Sequence, residues 1–403
     1  MPKKILIFSL AYYPKHVGGA EVAIKEITDR VPKNEIEFHM IALRFDDTLP
    51  KVERIGNILV HRIGPTRHEP NMSDLRRFPL YLNKFLFQFL AAWEAGKLHK
   101  KYNYDGIWAM MAHSTGVPAG IFKTFHPKVK YLLTLQEGDP IPYIKKKMRP
   151  IYPLFVRGFT KADMVQAIST FLSKWAREMG FKGKMEIIPN AVNAKHFSQE
   201  YPPEEINAIK KQIGKKDGDI FMITTSRLVK KNAADDVIKA LSILPKNIKF
   251  AILGIGPDEK MLRTLAEEKK VNERVIFLGQ VPHEEMPKYL KACDIFIRPS
   301  LSEGMGNSFV EAFAAGIPVI ATQEGGITDF LFDPEINPET PSTGRAVKPR
   351  DPEGIARAVH LLLENKQKTE EIIANAKKLA FEKYDWDRIA KDMREKVFAE
   401  LMA

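Results

Sequence analysis

"DIFIRPSLSEGMGNSFVEAFAAG", Asp294 to Gly316, contains an apolar run broken at Pro299, a glycine-bearing polar stretch and a second apolar segment that ends before Gly316 and Pro318. A short apolar run bounded by turn formers reads as a strand buried on both faces. The segment "NSFVEAFAAG" reads as a helix, with glycine and then proline as its stop signals. Strand, loop and helix in that order form half of a βαβ unit, which requires a parallel sheet.

The same grammar recurs in both halves of the chain. "KKILIFSLAYYP", "EFHMIAL", "YDGIWAMM" and "VKYLLTL" are expected strands of the first half. "DIFMITTS", "IKFAILG", "RVIFLGQV", "CDIFIRPS" and "IPVIAT" are those of the second, with helical patterns such as "ADDVIKALSIL" between them. With 403 residues the chain suits two domains. The turn formers in "EIIPNAVNAKHFSQEYPPEE" place a linker near residues 189–205. We therefore expect an α/β protein of two doubly wound Rossmann-like domains facing across a cleft: residues 1–190 joined by a C-terminal helix near 385–403, and residues 191–384. In such sheets ligands bind beyond the carboxyl ends of the strands, so chemistry is expected on the loops that leave them.

Composition narrows the function. The formal charge of +12 is uneven, with a net +13 in residues 1–200 and −1 in the remainder, so an anionic partner belongs to the first half. One cysteine, Cys293, excludes an intramolecular disulfide and a cysteine-based zinc site and suits a cytoplasmic setting. "YLNKFLFQFLAAW" is too short and too interrupted to span a bilayer, and "MPKKILIFSL" reads as a first strand and not a leader. Walker A is absent, and "GIGPDE" at Gly254 is not a full dinucleotide fingerprint.

In the opening stretch, Glu303 falls on the loop and Glu311 inside the helix. Ser308 and Glu311 have the spacing of a capping box, which gives Glu311 a purely structural reading. The alternative is a nucleotide-sugar site. The amides of Gly304, Met305, Gly306, Asn307 and Ser308 at a helix start attract a diphosphate, and carboxylates accept strong hydrogen bonds from sugar hydroxyls. At the end of another strand, "SRLVKKN" offers Arg227, Lys230 and Lys231, cations that could stabilise charge on a departing phosphate.

"RPSLSEGMGNSFVEAFAAGIPVIATQEGGITDFL" resembles the E-x7-E signature of the retaining GT-B glycosyltransferases of family 4, also called glycosyl transferase group 1. The resemblance extends through "GGAE", "IPNAVN", "SRLVKKNAADDVIKAL", "LGIGPDE", "FLGQVPHEEMPKYLKACDIFIRPS" and "GRAVKPRDPEGIARAV". It implies that Glu303 meets the donor sugar and Glu311 the nucleotide ribose, with an Arg-Lys pair at the diphosphate. Arg227 fits directly. The usual lysine position holds Asn232, and Lys231 takes the role. The resemblance further implies that Gly18 and Gly19 meet the diphosphate from the other domain, and that Gly254 and the backbone at Val281 lie near the base. The donor is expected to be a UDP- or GDP-sugar, with no cofactor and no metal. The D-x-D triplets Asp217–Asp219 and Asp385–Asp387 read as a turn and as part of the terminal helical region.

Many relatives carry a histidine where this chain has Gln136, which can donate a hydrogen bond but not carry a proton. His113 and Glu137 are the candidates to cover that role on the acceptor side. In GT-B enzymes the N-terminal domain holds the acceptor, and here it carries the excess positive charge. "PYIKKKMRPIYPLFVRGFTK", and Arg76 and Arg77 beside the apolar helix, suit a lipid-linked glycan acceptor and peripheral contact with an anionic inner-membrane face. The competing reading has Leu82, Phe85, Leu86 and Phe89 facing the core. Competing functions are a nucleotide-sugar epimerase and a transferase acting on a small soluble acceptor. Nucleic-acid binding lacks any recognisable module.

Overall fold

The computed structural model describes residues 2–15, 18–70, 74 and 77–403. The expectation for Arg76 falls outside these. The chain divides into two compact units, Met1–Asn190 with Trp386–Ala403, and Ala191–Asp385.

The first unit is built on an eight-stranded sheet. Its strands are β1 (Lys3–Phe8), β2 (Ile36–Leu43), β3 (Val52–Ile55), β4 (Ile58–Ile63), β5 (Gly106–Met110), β6 (Lys130–Leu135), β7 (Met164–Ala167) and β8 (Lys184–Ile187), in the order β3-β4-β2-β1-β5-β6-β7-β8. All neighbours are parallel except β3 and β4. Ile5 through Phe8 are fully buried, as a strand with covered faces requires. The C-terminal segment completes this unit. Phe398 lies 5.3 Å from the Trp108 ring and 5.8 Å from Phe38, and Arg394 donates to Glu35 at 2.6 and 2.7 Å.

The second unit is a six-stranded parallel sheet of β9 (Ile220–Thr225), β10 (Ile248–Leu253), β11 (Val275–Gly279), β12 (Ile295–Arg298), β13 (Val319–Thr322) and β14 (Arg345–Val347), in the order β11-β10-β9-β12-β13-β14. Val237, Ile238, Leu241, Phe250, Ile252, Ile355 and Val359 belong to its core between sheet and helices. The chain order reverses at β1/β5 in the first sheet and at β9/β12 in the second. At such switch points the outgoing loops diverge and leave a crevice at the carboxyl ends.

The expected linker contains the Ala194–Ser198 helix, started by Asn193, whose Oδ1 accepts the His196 N–H at 3.0 Å. On the Asn83–Tyr102 helix the core reading of Phe85 and Phe89 is wrong. These residues are 53% and 41% exposed, while Phe87, Ala91, Ala95 and Leu98 form the buried face. The Asp385–Asp387 triplet is structural, since Trp386 is buried and Asp387 accepts from Arg30 at 2.7 Å. Asp219 pairs with Lys249 at 2.7 Å.

His61 stands in the first unit with its Nε2 buried and without a partner among the described residues, beside the buried His39. Burial, with His39 and Lys101 adding to it, lowers its pKa from 6.5 to about 4. Between those values the unfolded chain binds more protons, so this contribution to stability is present above pH 6.5 and lost as pH falls towards 4. A loss on the order of 3 kcal/mol is expected over that window. His61→Phe should flatten that part of the stability curve measured by urea unfolding. An unchanged slope would show that His61 does not carry it.

Candidate functional site

At the β9/β12 switch point two loops run side by side. The loop after β9 turns through a short 3₁₀ segment, Lys230–Asn232, and Ala233 at φ 52° then starts the Ala234–Leu241 helix. Asn232 is buried, its Nδ2 donating to the Arg227 carbonyl at 2.7 Å, so it braces the loop from inside. Arg227 and Lys230 are exposed. The Leu301 N–H donates to the Lys231 carbonyl at 2.7 Å, which ties the β12 loop to the β9 loop. The Lys231 Nζ stands 3.8 Å from Glu303 Oε1.

Glu303 is 7% exposed and pairs with Arg298, the last residue of β12. The Glu303 carbonyl accepts the Gly326 N–H at 3.0 Å. Gly325, at φ 64°, has room for no side chain, because a Cβ there would lie 2.1 Å from the Glu303 carbonyl oxygen. The "TQEGGITD" segment therefore supports the Glu303 loop from below.

The helix after this loop runs Asn307–Ala315, from Gly306 at φ 88° to Gly316 at φ 76°. Because Gly306 is the N-cap, Ser308 is the second helical residue and cannot cap. The capping-box reading is overturned. Ser308 Oγ accepts from Arg298 Nη1 at 2.7 Å, and Glu311 Oε1 lies 3.0 Å from His283 Nε2. The Glu311 carboxylate pushes the His283 pKa above its ordinary value. Gly304 and Met305 are buried beside Glu303, while Gly306 and Asn307 are half-buried.

The loops after β10 and β11 border the same strand ends. The Gly254 N–H donates to the Gly279 carbonyl at 2.7 Å, and Val281 is half-buried two residues beyond β11. Gly254 abuts the backbone of Ser226, the residue before Arg227.

In the first unit the loops after β1, β5 and β6, neighbours in the sheet, carry the remaining candidates. His113 lies on a π-turn after β5, entered through Met111 at φ 67°. Its Nδ1 is 3.4 Å from Glu137 Oε1, and its Nε2 is 3.1 Å from Ser114 Oγ. Glu137 is buried and accepts the Gln136 N–H at 3.0 Å. Gln136 and Asn190 exchange two side-chain hydrogen bonds of 3.0 Å, which fix the amide of Gln136. Gly18 is the N-cap of the Gly19–Asp29 helix, and its N–H donates to Glu21 Oε2 at 2.8 Å. That amide, expected at a diphosphate, is here bound to the buried Glu21 carboxylate.

Each unit, with its doubly wound sheet, has counterparts among known proteins. The model "Glycosyltransferase Family 4" matches residues 17–196, and "Glycosyl transferases group 1" matches residues 205–379. The chain belongs to glycosyltransferase family 4. It is 27% identical to an uncharacterised glycosyltransferase of Methanocaldococcus jannaschii over 96% of both chains. It is 28% identical to the alpha-monoglucosyldiacylglycerol synthase of Streptococcus pneumoniae, over 82% of this chain and 73% of that one. The Anabaena HepE structure in complex with UDP-glucose superposes with a TM-score of 0.74 at 20% identity, covering 98% of this chain and 99% of that one. This family 4 glycosyltransferase thus has the GT-B fold.

The structure brings Lys231, Glu303, Gly304, Met305, Gly306, Asn307, Ser308 and Glu311 to neighbouring strand ends of the second unit. His113, Gln136 and Glu137 meet in the first. The sequence reading gave no role to Arg298, Gly325, His283 or Asn190. The only signal for Arg298 was a charged residue closing an otherwise apolar buried strand.

Proposed function

We propose that the enzyme moves a hexose, with retention, from a UDP- or GDP-sugar to a hydroxyl of a lipid-linked acceptor. The observation that carries this reading is the approach of Lys231 to Glu303 across the β9/β12 switch point. A cation and a carboxylate held side by side suit a donor whose diphosphate needs positive charge and whose sugar offers hydroxyl donors.

Arg227 and Lys231 take the diphosphate, with the amides of the 304–308 segment. Glu303 accepts from the sugar hydroxyls and Glu311 from the ribose, whose hydroxyls displace or share the bond to His283. Gly254 and Val281 border the base. The acceptor oxygen bonds to the anomeric carbon as the bond from that carbon to the phosphate oxygen breaks. The acceptor proton passes to the departing phosphate on the same face. Lys231 and Arg227 neutralise the developing charge, so no metal is required. His113, held by Glu137, orients the acceptor hydroxyl in the place left by Gln136.

A thermal-shift panel of UDP, GDP, ADP and their sugars should raise the melting temperature with one nucleotide series. Nucleotide release should then require an acceptor. No stabilisation by any of them would overturn the reading.

The lipid acceptor is supported by the first unit's surface. Phe78, Tyr81, Phe85, Phe89, Leu90 and Trp93 are exposed on or beside the Asn83–Tyr102 helix, with Trp93 at 63%. Lys84, Lys97 and Arg77 share that region, and Lys146, Lys147 and Arg149 are exposed on and beside the Ile141–Met148 helix. Aromatic side chains beside lysines suit the interface of an anionic bilayer. Among the described residues no helix is long and apolar enough to cross a membrane. Vesicles with about 30% anionic lipid should pellet the enzyme, and serine at Phe85, Phe89 and Trp93 should weaken pelleting about tenfold. Equal pelleting with neutral vesicles would refute the proposal.

A further inference from the structure

Arg298 occupies a position where a strand buried on both faces ordinarily carries an aliphatic residue. It is 7% exposed, and all three guanidinium nitrogens have partners. Nε donates to Ser300 Oγ at 3.0 Å, Nη1 to Ser308 Oγ at 2.7 Å, and Nη2 to Glu303 Oε1. The guanidinium carbon sits 4.6 Å from the Phe309 ring centroid. One side chain therefore joins the strand end, the loop and the second residue of the following helix.

A pair buried in this way is poorly explained by stability, because well-packed apolar residues of similar volume serve a core at least as well. What the fork supplies is geometry. Its planar donors fix the direction of a carboxylate more tightly than a flexible ammonium can. Gly306 contributes to the same arrangement, since a Cβ there would stand 2.6 Å from the Phe309 ring and 3.2 Å from Arg298 Nη2. Arg298 also supplies charge. Glu303 facing Lys231 alone would form a neutral pair, whereas with Arg298 the three groups carry a net positive charge, which suits an anionic diphosphate.

We infer that Arg298 is a positioning residue for the donor sugar: it aims the Glu303 carboxylate at the sugar hydroxyls and keeps it from cancelling Lys231. The inference rests on the reading above that Glu303 faces the sugar. It predicts a separation between nucleotide and nucleotide-sugar recognition, because a nucleotide without its sugar lacks the group that Glu303 holds.

The test is calorimetric titration of the full chain with UDP and UDP-glucose, or GDP and GDP-mannose if the thermal-shift panel selects guanine. Arg298→Lys, which keeps the charge, should hold the affinity for the bare diphosphate within about threefold and weaken nucleotide-sugar binding about 10- to 50-fold. Arg298→Met, which leaves Glu303 to neutralise Lys231, should weaken the bare diphosphate as well. Glu303→Gln should show the same split as Arg298→Lys, and the double variant of these two should lose no more than either single one, since both act through one carboxylate. Melting curves establish that each variant is folded. If Arg298→Met does not fold, Arg298→Lys keeps the charge and still decides the matter. A folded Arg298→Lys with wild-type binding of both ligands overturns the inference, as do additive losses in the double variant. An unchanged Glu303→Gln, or a wild type that binds neither nucleotide, removes the reading beneath it.

Discussion

Lys231→Ala is expected to lower turnover by about 100- to 1000-fold, in the range found when one fixed donor to a developing anion is removed. The fold should be little affected. The Lys231 side chain is 24% exposed, and the bond that ties the two loops runs through its backbone carbonyl, which alanine retains. Partly exposed ion pairs contribute roughly 0–1 kcal/mol, so the melting temperature should fall by only a few degrees. Lys230 is the internal control. It is exposed, precedes Lys231 in the same 3₁₀ segment, and is not among the residues paired with Glu303. Lys230→Ala should keep turnover within about twofold. Initial rates with the donor identified by thermal shift settle the comparison. Full activity in Lys231→Ala, or a larger loss in Lys230→Ala, would move the phosphate contact elsewhere.

The doubly wound architecture was legible because buried parallel strands leave continuous apolar runs, and "DIFIRPS" and "DIFMITT" are such runs. The meeting of Lys231 with Glu303 was less legible. They lie on loops after β9 and β12, which become neighbours only because the chain order reverses between those strands. The capping box failed for a local reason. Its spacing is correct only if Ser308 is the cap, and the positive φ of Gly306 begins the helix two residues earlier. A sequence gives the spacing but not the first helical residue.

The Asn83–Tyr102 helix shows another boundary. Leu82, Phe85, Leu86 and Phe89 have helical spacing, and so do Phe87, Ala91, Ala95 and Leu98. Periodicity identifies faces without saying which one is packed. The decision lies in the alanines, whose small side chains allow close approach of the neighbouring Val117–Phe125 helix, while the larger aromatics remain at the surface. Arg298 was hidden for a different reason. Its partners at positions 300, 303 and 308 are near in sequence, but only a loop that folds back over the strand end brings them to one guanidinium.

Gly254→Ala should be the most disruptive single-methyl change in the second unit. Gly254 has φ 146°, a region that L side chains rarely adopt, and its Cβ would stand 2.0 Å from the Ser226 carbonyl oxygen. Neither partner can yield cheaply. The Gly254 N–H is bonded to Gly279, the Ser226 N–H to Leu253, and the Leu228 N–H to Ile255, so the β9 and β10 loops are laced together by backbone. Backbone strain and steric overlap each cost about 1–3 kcal/mol, giving about 4 kcal/mol in all. For a unit of this size that lowers the melting temperature by about 10 °C. Gly214→Ala separates the two causes. Gly214 has φ 74° and nothing within 4 Å of the added carbon, so only strain of about 1 kcal/mol remains. The loss at Gly254 should extend to donor affinity, because Arg227 follows Ser226 and moves with it, whereas Gly214→Ala should leave donor affinity unchanged. Equal melting shifts in the two variants would show that the methyl overlap is relieved and that the two loops are not held in register by Gly254.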